Sequence, residues 1–178
     1  TTPISSYNWP SGNDIKTRTD LKSGNYIVTV TDDNGCTATT TVTITQPDTL
    51  TASNTVDHNV SCFGGSNGEA TIGYTGGTTP ISSYNWPSGA DTQTRNDLTA
   101  TSYTVTVTDA NSCTATTTVS ISQPAAALTA TNTVANDVSC FGGSNGNATI
   151  NTSGGTTPIS TYNWPSGADT QTRNDLTA

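Results

Sequence analysis

The sequence repeats itself with a period of about 77 residues. The segment TTPISSYNWPSG at residues 1–12 returns unchanged at residues 78–89 and, with one substitution, at residues 156–167. The turns of solenoid proteins repeat every 20–50 residues or so, whereas a period of this length matches a small independent domain. The chain is therefore expected to be a row of nearly identical domains, like beads on a string. This organisation points away from an enzyme.

The composition favours β-structure in these domains. Apolar residues make up 30% of the chain and charged residues only 10%, which is unusual for a globular enzyme. Threonine is abundant, and it alternates with Val, Ile, Tyr and Trp over short stretches, a pattern typical of strands. Turn sequences such as PSG and DANS separate six or seven of these stretches in each copy. The sequence thus predicts an all-β chain of tandem immunoglobulin-like β-sandwich repeats.

Two Gln-Pro pairs, at residues 46–47 and 123–124, indicate where one copy ends and the next begins. Proline cannot donate a hydrogen bond to a neighbouring strand, so it fits a strand end or a linker. On this basis residues 1–47 are the C-terminal part of a repeat, residues 48–124 are one complete repeat, and residues 125–178 are the N-terminal part of a third. A boundary at TTPIS fits the period equally well.

Alternation within the complete copy predicts which side chains face the interior of the sandwich. This core is small for a domain of 77 residues, so a covalent staple is expected to support it. The predicted core residues are Leu50, Val56, Ala70, Ile72, Tyr84, Trp86, Leu98, Tyr103, Val105, Val107, Val119 and Ile121.

The four cysteines are the candidates for that staple. Regularly placed cysteines in a small β-domain are typical of oxidised, extracellular proteins. If six strands simply alternate up and down, Cys62 and Cys113 lie at the same end of the sandwich and can form a disulfide within the repeat. Cys36 and Cys140 then pair with residues outside this sequence. A rival pairing joins Cys36 to Cys62 and Cys113 to Cys140, across the linkers.

Charge and histidine content exclude several functions. The net charge is −8 with only five Lys and Arg residues, which disfavours nucleic acid as a partner. No apolar run is long enough for insertion into a membrane. The single histidine, His58, is replaced by Asn136 in the next copy, so no catalytic triad can recur from repeat to repeat. We therefore expect no enzymatic activity.

Two kinds of site are suggested by the turns and linkers. Asp32 and Asp33 share one hairpin turn, and Asp109 and Asn111 share its copy, so calcium is a candidate ligand although no cofactor is required. Calcium takes six to eight oxygen ligands, and the alternative is an Asx turn that caps the hairpin. Thr49, in the linker sequence DTL, is a candidate for O-glycosylation.

Longer motifs connect the chain with a known family. The order VSCFGGSNGEATI, GGTTPISSYNWPSG and YTVTVTDANSCTATTTVSISQP resembles the SprB repeat, which occurs in many copies in large cell-surface adhesins of gliding Bacteroidota. The TTPISSYNW segment departs from the shorter aromatic segment usual at that place. The resemblance implies an extracellular protein exported by type IX secretion and carried on an outer-membrane-attached filament.

The repeats and the resemblance together suggest a stalk and multivalent adhesive array in cell attachment and gliding motility. The expected partners are surfaces or polysaccharides, neighbouring repeats of the same chain, and laterally associated copies. The alternative is a carbohydrate-binding module in which each repeat binds glycan, with or without calcium. Exposed Tyr and Trp rings of the YNW segment would favour this alternative, whereas a surface of Thr side chains would favour the array.

Overall fold

The regular elements of the residues that the structure describes are all β-strands. The computed structural model describes residues 3–12 and 14–177, and no helix there has the length and apolarity needed to cross a lipid bilayer. The chain divides into two compact units, one up to Asp48 and the other from Thr49 onwards. The strands are β1 (Ile4–Asn8), β2 (Gly24–Asp32), β3 (Thr37–Ile44), β4 (Thr51–His58), β5 (Gly68–Thr75), β6 (Ile81–Asn85), β7 (Thr94–Leu98), β8 (Ser102–Asp109), β9 (Thr114–Ser120), β10 (Thr129–Asn136), β11 (Gly146–Ser153) and β12 (Thr172–Leu176).

The complete copy forms a sandwich of two three-stranded sheets. One sheet has the order β4–β5–β7 and the other has the order β6–β8–β9, and all the pairs are antiparallel. In β8, Val105 and Val107 are buried while the threonines between them face outwards, because successive side chains of a strand point to opposite faces. The predicted all-β, immunoglobulin-like sandwich is confirmed.

The core of the complete copy lies between these sheets. Trp86 is 1% exposed, and Tyr84 and Tyr103 are partly buried against the core. Val60 is also buried although it lies in a loop, outside the alternating stretches. Burial of each such apolar side chain stabilises the fold by about 1.5–3 kcal/mol. The buried core residues are Leu50, Val60, Ala70, Ile72, Trp86, Leu98, Val105, Val107, Val119 and Ile121.

Two consecutive strands, β6 and β7, run in the same direction. β6 is antiparallel to β8 and begins opposite Asp109, whereas β7 is antiparallel to β5 and ends opposite Gly68. Between them the chain reverses twice, because Asn85 makes a single antiparallel bridge with Asp91 before β7 starts. The strands therefore do not simply alternate up and down, and β6 and β7 belong to different sheets.

The sandwich consequently has two distinct ends. At what we call the loop end, the loop of residues 59–67 contacts the segment after β9: the Val60 amide donates to the Ser122 carbonyl at 2.9 Å. At what we call the hairpin end, the turn between β8 and β9 contacts the turn after β5: the Ala110 amide donates to the Thr78 carbonyl at 3.2 Å. Strand β8 spans the distance between the two ends, roughly 25 Å for its eight residues.

The other two copies each contain one of the two sheets. The first unit has the sheet β1–β2–β3, which matches β6–β8–β9, and the third copy has β10–β11–β12, which matches β4–β5–β7. Residues 158–165 include the counterpart of β6, a strand of the sheet that the third copy lacks. Without a partner strand in the described residues, they form only the isolated bridge between Asn163 and Asp169. Leu50 is 7% exposed whereas its counterpart Leu128 is 57% exposed, because no second sheet covers it in the described residues.

Candidate functional site: the hydroxyl face and the two ends of the repeat

The tryptophan of the YNW segment is covered by an arginine and is not available to a sugar. The Arg95 guanidinium lies over the Trp86 ring, 5.6 Å from its centroid, and the indole Nε1 donates to the Thr92 carbonyl at 2.8 Å. Arg95 also donates through Nε and Nη2 to the two carboxylate oxygens of Asp97, at 2.8 and 2.6 Å. These hydrogen bonds lower the pKa of Asp97 and raise that of Arg95.

The same cluster recurs in the other copies. Arg18 lies over Trp9 and Arg173 lies over Trp164, both 5.8 Å from the ring centroid. Each arginine also forms a bidentate pair with the aspartate two residues further on. A cation held over an aromatic face contributes about 0.5–2 kcal/mol. The recurring Arg and Trp residues thus stabilise the repeat by packing, and in the complete copy Trp86 cannot serve as an exposed platform for glycan.

Asp109 organises the hairpin end as a buried carboxylate that is 1% exposed. Its Oδ2 accepts the Thr78 amide at 2.8 Å, and its Oδ1 accepts the amides of Asn111 and Cys113 at 2.9 and 2.8 Å. These donors, the Thr78 amide above all, lower the pKa of Asp109. The alternation of β8 extends to this position, since residues 103, 105, 107 and 109 share a face, and this signal in the sequence could have revealed its burial.

These hydrogen bonds bear on the calcium hypothesis. The side-chain amide of Asn111 donates to the Thr78 hydroxyl, and the Asp109 carboxylate already has three N–H donors directed at it. In the first unit Asp32 accepts the amide of Cys36 in the same way, and Asp33 is exposed beside it. Among residues 3–12 and 14–177, no three His, Cys, Asp or Glu side chains cluster to hold a metal. The turns therefore have the geometry of Asx caps, and calcium binding stays a prediction.

The cysteines do not form the predicted bridge, and all four are free and exposed. Cys62 lies at the loop end of the complete copy and Cys113 at its hairpin end, roughly 25 Å apart, whereas a disulfide needs Cα atoms within about 7 Å. The prediction of a common end fails because β6 and β7 run in the same direction. The rival pair of Cys113 with Cys140 is also not formed. For Cys36 and Cys140, pairing outside this sequence stays a prediction.

The outer side of the β8–β9 pair carries only hydroxyl side chains, and we call these eight residues the hydroxyl face. They face each other across the two strands in four rows, with about 5 Å between partners and roughly 7 Å between rows. The first unit repeats two of the threonine rows, while Ile27, 62% exposed, replaces the threonine of a third. The four pairs of the hydroxyl face are Ser102–Ser120, Thr104–Thr118, Thr106–Thr116 and Thr108–Thr114.

Two further positions singled out in the sequence face solvent. Thr49 is exposed at the start of the second unit, directly before the buried Leu50, and its glycosylation stays a prediction. The His58 ring lies 3.3 Å from the Glu69 carboxylate, and its side chain is 72% exposed. Both are peripheral to the sandwich core and to the hydroxyl face.

Comparison with known proteins confirms the resemblance noted in the sequence. The family model described as the SprB repeat matches this chain at two places, residues 54–91 and 132–169. No curated protein gives a significant match. A solved structure of the N-terminal eight Ig domains of Down Syndrome Cell Adhesion Molecule, isoform 1.30.30, matches with a TM-score of 0.36 and 14% identity. The match covers 96% of this chain and 32% of that one, so the chain spans about a third of its length.

The matching family and the sandwich fold together define the class of protein. The chain is a repeat region of the kind found in adhesin-type proteins of the cell surface or extracellular space.

Proposed function

We propose that this chain is a non-enzymatic segment of a long extracellular filament, acting as a stalk and as a multivalent adhesive array in cell attachment and gliding. The observation that carries the proposal is structural repetition. Strand pairs of the middle copy recur with the same register in the others: Ile81 opposite Asp109 matches Ile4 opposite Asp32. Repeating one sandwich unchanged gives length and many equivalent surfaces, whereas it adds nothing to a single catalytic centre.

The hydroxyl face is the surface that we assign to adhesion. Its eight side chains donate and accept hydrogen bonds and carry no charge, which suits the hydroxyl groups of a polysaccharide or of a hydrated mineral. Each contact is weak because it replaces a hydrogen bond to water. The middle copy carries the full face and the first unit carries two of its threonine rows, so their contacts add. Linking weak sites can raise the overall affinity by about 10²–10⁴.

Binding of the isolated copy 48–124 and of the whole chain to polysaccharide-coated and bare mineral surfaces tests the proposal, with and without calcium. We expect retention by the whole chain, a weaker signal from the single copy, and no effect of calcium. Saturable binding by the single copy, dependent on calcium, would instead identify each repeat as a carbohydrate-binding module. Binding by neither would leave only the role of a stalk.

A pair of variants locates the adhesive surface. Thr106→Val combined with Thr116→Val removes two hydroxyls from one row of the hydroxyl face while keeping the shape of the side chains. The matched control is Thr55→Val on the exposed side of β4, in the opposite sheet. The double variant should weaken retention of the chain and the control should not. Equal retention of all three proteins would show that adhesion lies elsewhere.

A further inference from the structure

The junction between the middle and third copies brings opposite ends of the two repeats together. The Thr156 hydroxyl donates to the Ser61 carbonyl at 3.3 Å. Ser61 lies in the loop end of the middle copy, directly before the exposed Cys62. Thr156 follows β11, whereas Cys140 precedes that strand, so Thr156 and Cys140 lie at opposite ends of the third copy. The copies therefore stack with the loop end of one against the far end of the next.

In a complete repeat, the residue equivalent to Thr156 contacts the hairpin turn that carries the cysteine. Its counterpart in the middle copy is Thr78, whose amide donates to Asp109 and whose carbonyl accepts the amide of Ala110. The same turn ends at Cys113, which is exposed. In two consecutive complete repeats, the loop cysteine of one and the hairpin cysteine of the next thus lie at the same junction.

We propose that Cys62 forms a disulfide with the hairpin cysteine of the following copy, the counterpart of Cys36 and Cys113, and that every loop cysteine does the same. No pair of this kind falls within residues 1–178, because neither Cys62 nor Cys140 is followed by a hairpin cysteine one copy later. This explains why a chain with regularly placed cysteines has four free thiols. The bridge lies between repeats instead of inside them, and it does not depend on what the array binds.

The chemistry is thiol–disulfide exchange with an external disulfide, such as oxidised glutathione or the active-site disulfide of an oxidoreductase. The thiolate of Cys62 attacks the oxidant disulfide, releases one thiol and forms a mixed disulfide. The thiolate of the hairpin cysteine then displaces the second thiol of the oxidant. Two protein thiols lose two protons and two electrons in total, and the oxidant is reduced to two thiols. All four cysteines are exposed, so the oxidant can reach them.

The first experiment uses the chain itself, folded in a glutathione redox buffer, alkylated, digested without reduction and mapped by mass spectrometry. Each of the four cysteines should be recovered either alkylated or as a mixed disulfide with glutathione, and none should be linked to another cysteine of the chain. A peptide that links Cys62 to Cys113 would overturn the proposal, because it would require the two ends of one copy to meet.

The second experiment supplies the missing partner by extending the chain with a copy of residues 101–124, which completes the third repeat. We expect a linked peptide joining Cys62 to the cysteine copied from Cys113, with loss of two hydrogen atoms. Cys62→Ser should abolish it, and the matched control Cys140→Ser, one junction further along, should leave it unchanged. An extended chain with native circular dichroism but no link at Cys62 would overturn the proposal.

A third variant covers the case in which the extended chain does not fold. Thr156→Cys places a thiol in the existing chain at the junction, beside Ser61 and therefore next to Cys62. Under the same oxidising conditions it should link to Cys62, whereas the control Thr131→Cys, on the exposed strand β10, should not. If Thr156→Cys and Thr131→Cys link to Cys62 equally, or if neither does, the stacking on which the proposal rests is wrong.

Discussion

Strand β5 contains two glycines for which the same substitution should have different effects on stability. An alanine Cβ at Gly68 would lie 2.7 Å from Cγ2 of Ile121 and 2.8 Å from the carbonyl oxygen of Leu98. The second of these atoms belongs to the paired strand, so it cannot move without disturbing the sheet. At Gly73 the nearest atom, at 2.6 Å, is Oγ of Ser53, a side-chain atom that can rotate away.

The magnitudes follow from two opposing effects. Alanine restricts the unfolded chain more than glycine does and so stabilises a protein by about 0.4–1 kcal/mol where it fits. Overpacking a closed core costs about 1–3 kcal/mol. We therefore expect Gly68→Ala to lower the free energy of unfolding by on the order of 1–2 kcal/mol. Gly73→Ala should leave it unchanged or raise it by up to about 1 kcal/mol.

Urea unfolding followed by tryptophan fluorescence measures this difference. In a background of Trp9→Phe and Trp164→Phe, only Trp86, 1% exposed in the core of the complete copy, reports on unfolding. For a domain of this size the slope is about 1 kcal/mol per molar urea, so the midpoint of Gly68→Ala should fall by about 1–2 M. Equal midpoints for the two glycine variants would refute the packing argument, as would a larger loss for Gly73→Ala.

Three further outcomes are expected. Because the pKa of Asp109 is lowered in the folded protein, the carboxylate stabilises the fold above its ordinary pKa of 3.8, and this stabilisation is lost as the pH falls through the pKa of the folded state. Between about pH 5 and pH 2, the urea midpoint should therefore fall less for Asp109→Asn than for the unchanged chain. Val60→Ala, at a loop position 3% exposed, should cost about 2 kcal/mol in the same unfolding assay, unlike an ordinary loop substitution. Arg95→Lys should cost about 1 kcal/mol because an ammonium group cannot both cover Trp86 and pair bidentately, and an unchanged midpoint would mean that this stacking contributes nothing.

Strand positions and most of the core could be predicted from the sequence. Alternation of apolar and polar residues identifies a strand even when its partner strand is unknown. Val105 and Val107 alternate with threonines, and they are buried as this pattern predicts. Val60 could not be found in this way because it lies outside the alternating stretches, in a loop that meets the chain again at Ser122. The direction of β7 could not be predicted from the sequence either, because the chain reverses a second time after the single bridge between Asn85 and Asp91.

The candidate sites were less predictable than the fold. The sequence shows that Asp109 and Asn111 share a turn, but only the structure shows that three backbone amides donate to the carboxylate. The pairing of Cys62 and Cys113 was wrong for a related reason, because which end a loop occupies depends on the direction of every strand before it. One misjudged reversal between β6 and β7 moves Cys113 to the other end of the domain.

The parallel course of β6 and β7 also decides how tandem copies can grow. With six alternating strands the chain would leave each sandwich at the end where it entered, and consecutive copies would fold back beside each other. Here it enters beside Gly77, next to Leu50, and leaves beside Val60, at the opposite end. A copy that follows the middle one therefore starts from the end of the sandwich opposite to where the middle copy started, and the added repeat extends the chain instead of folding back on it.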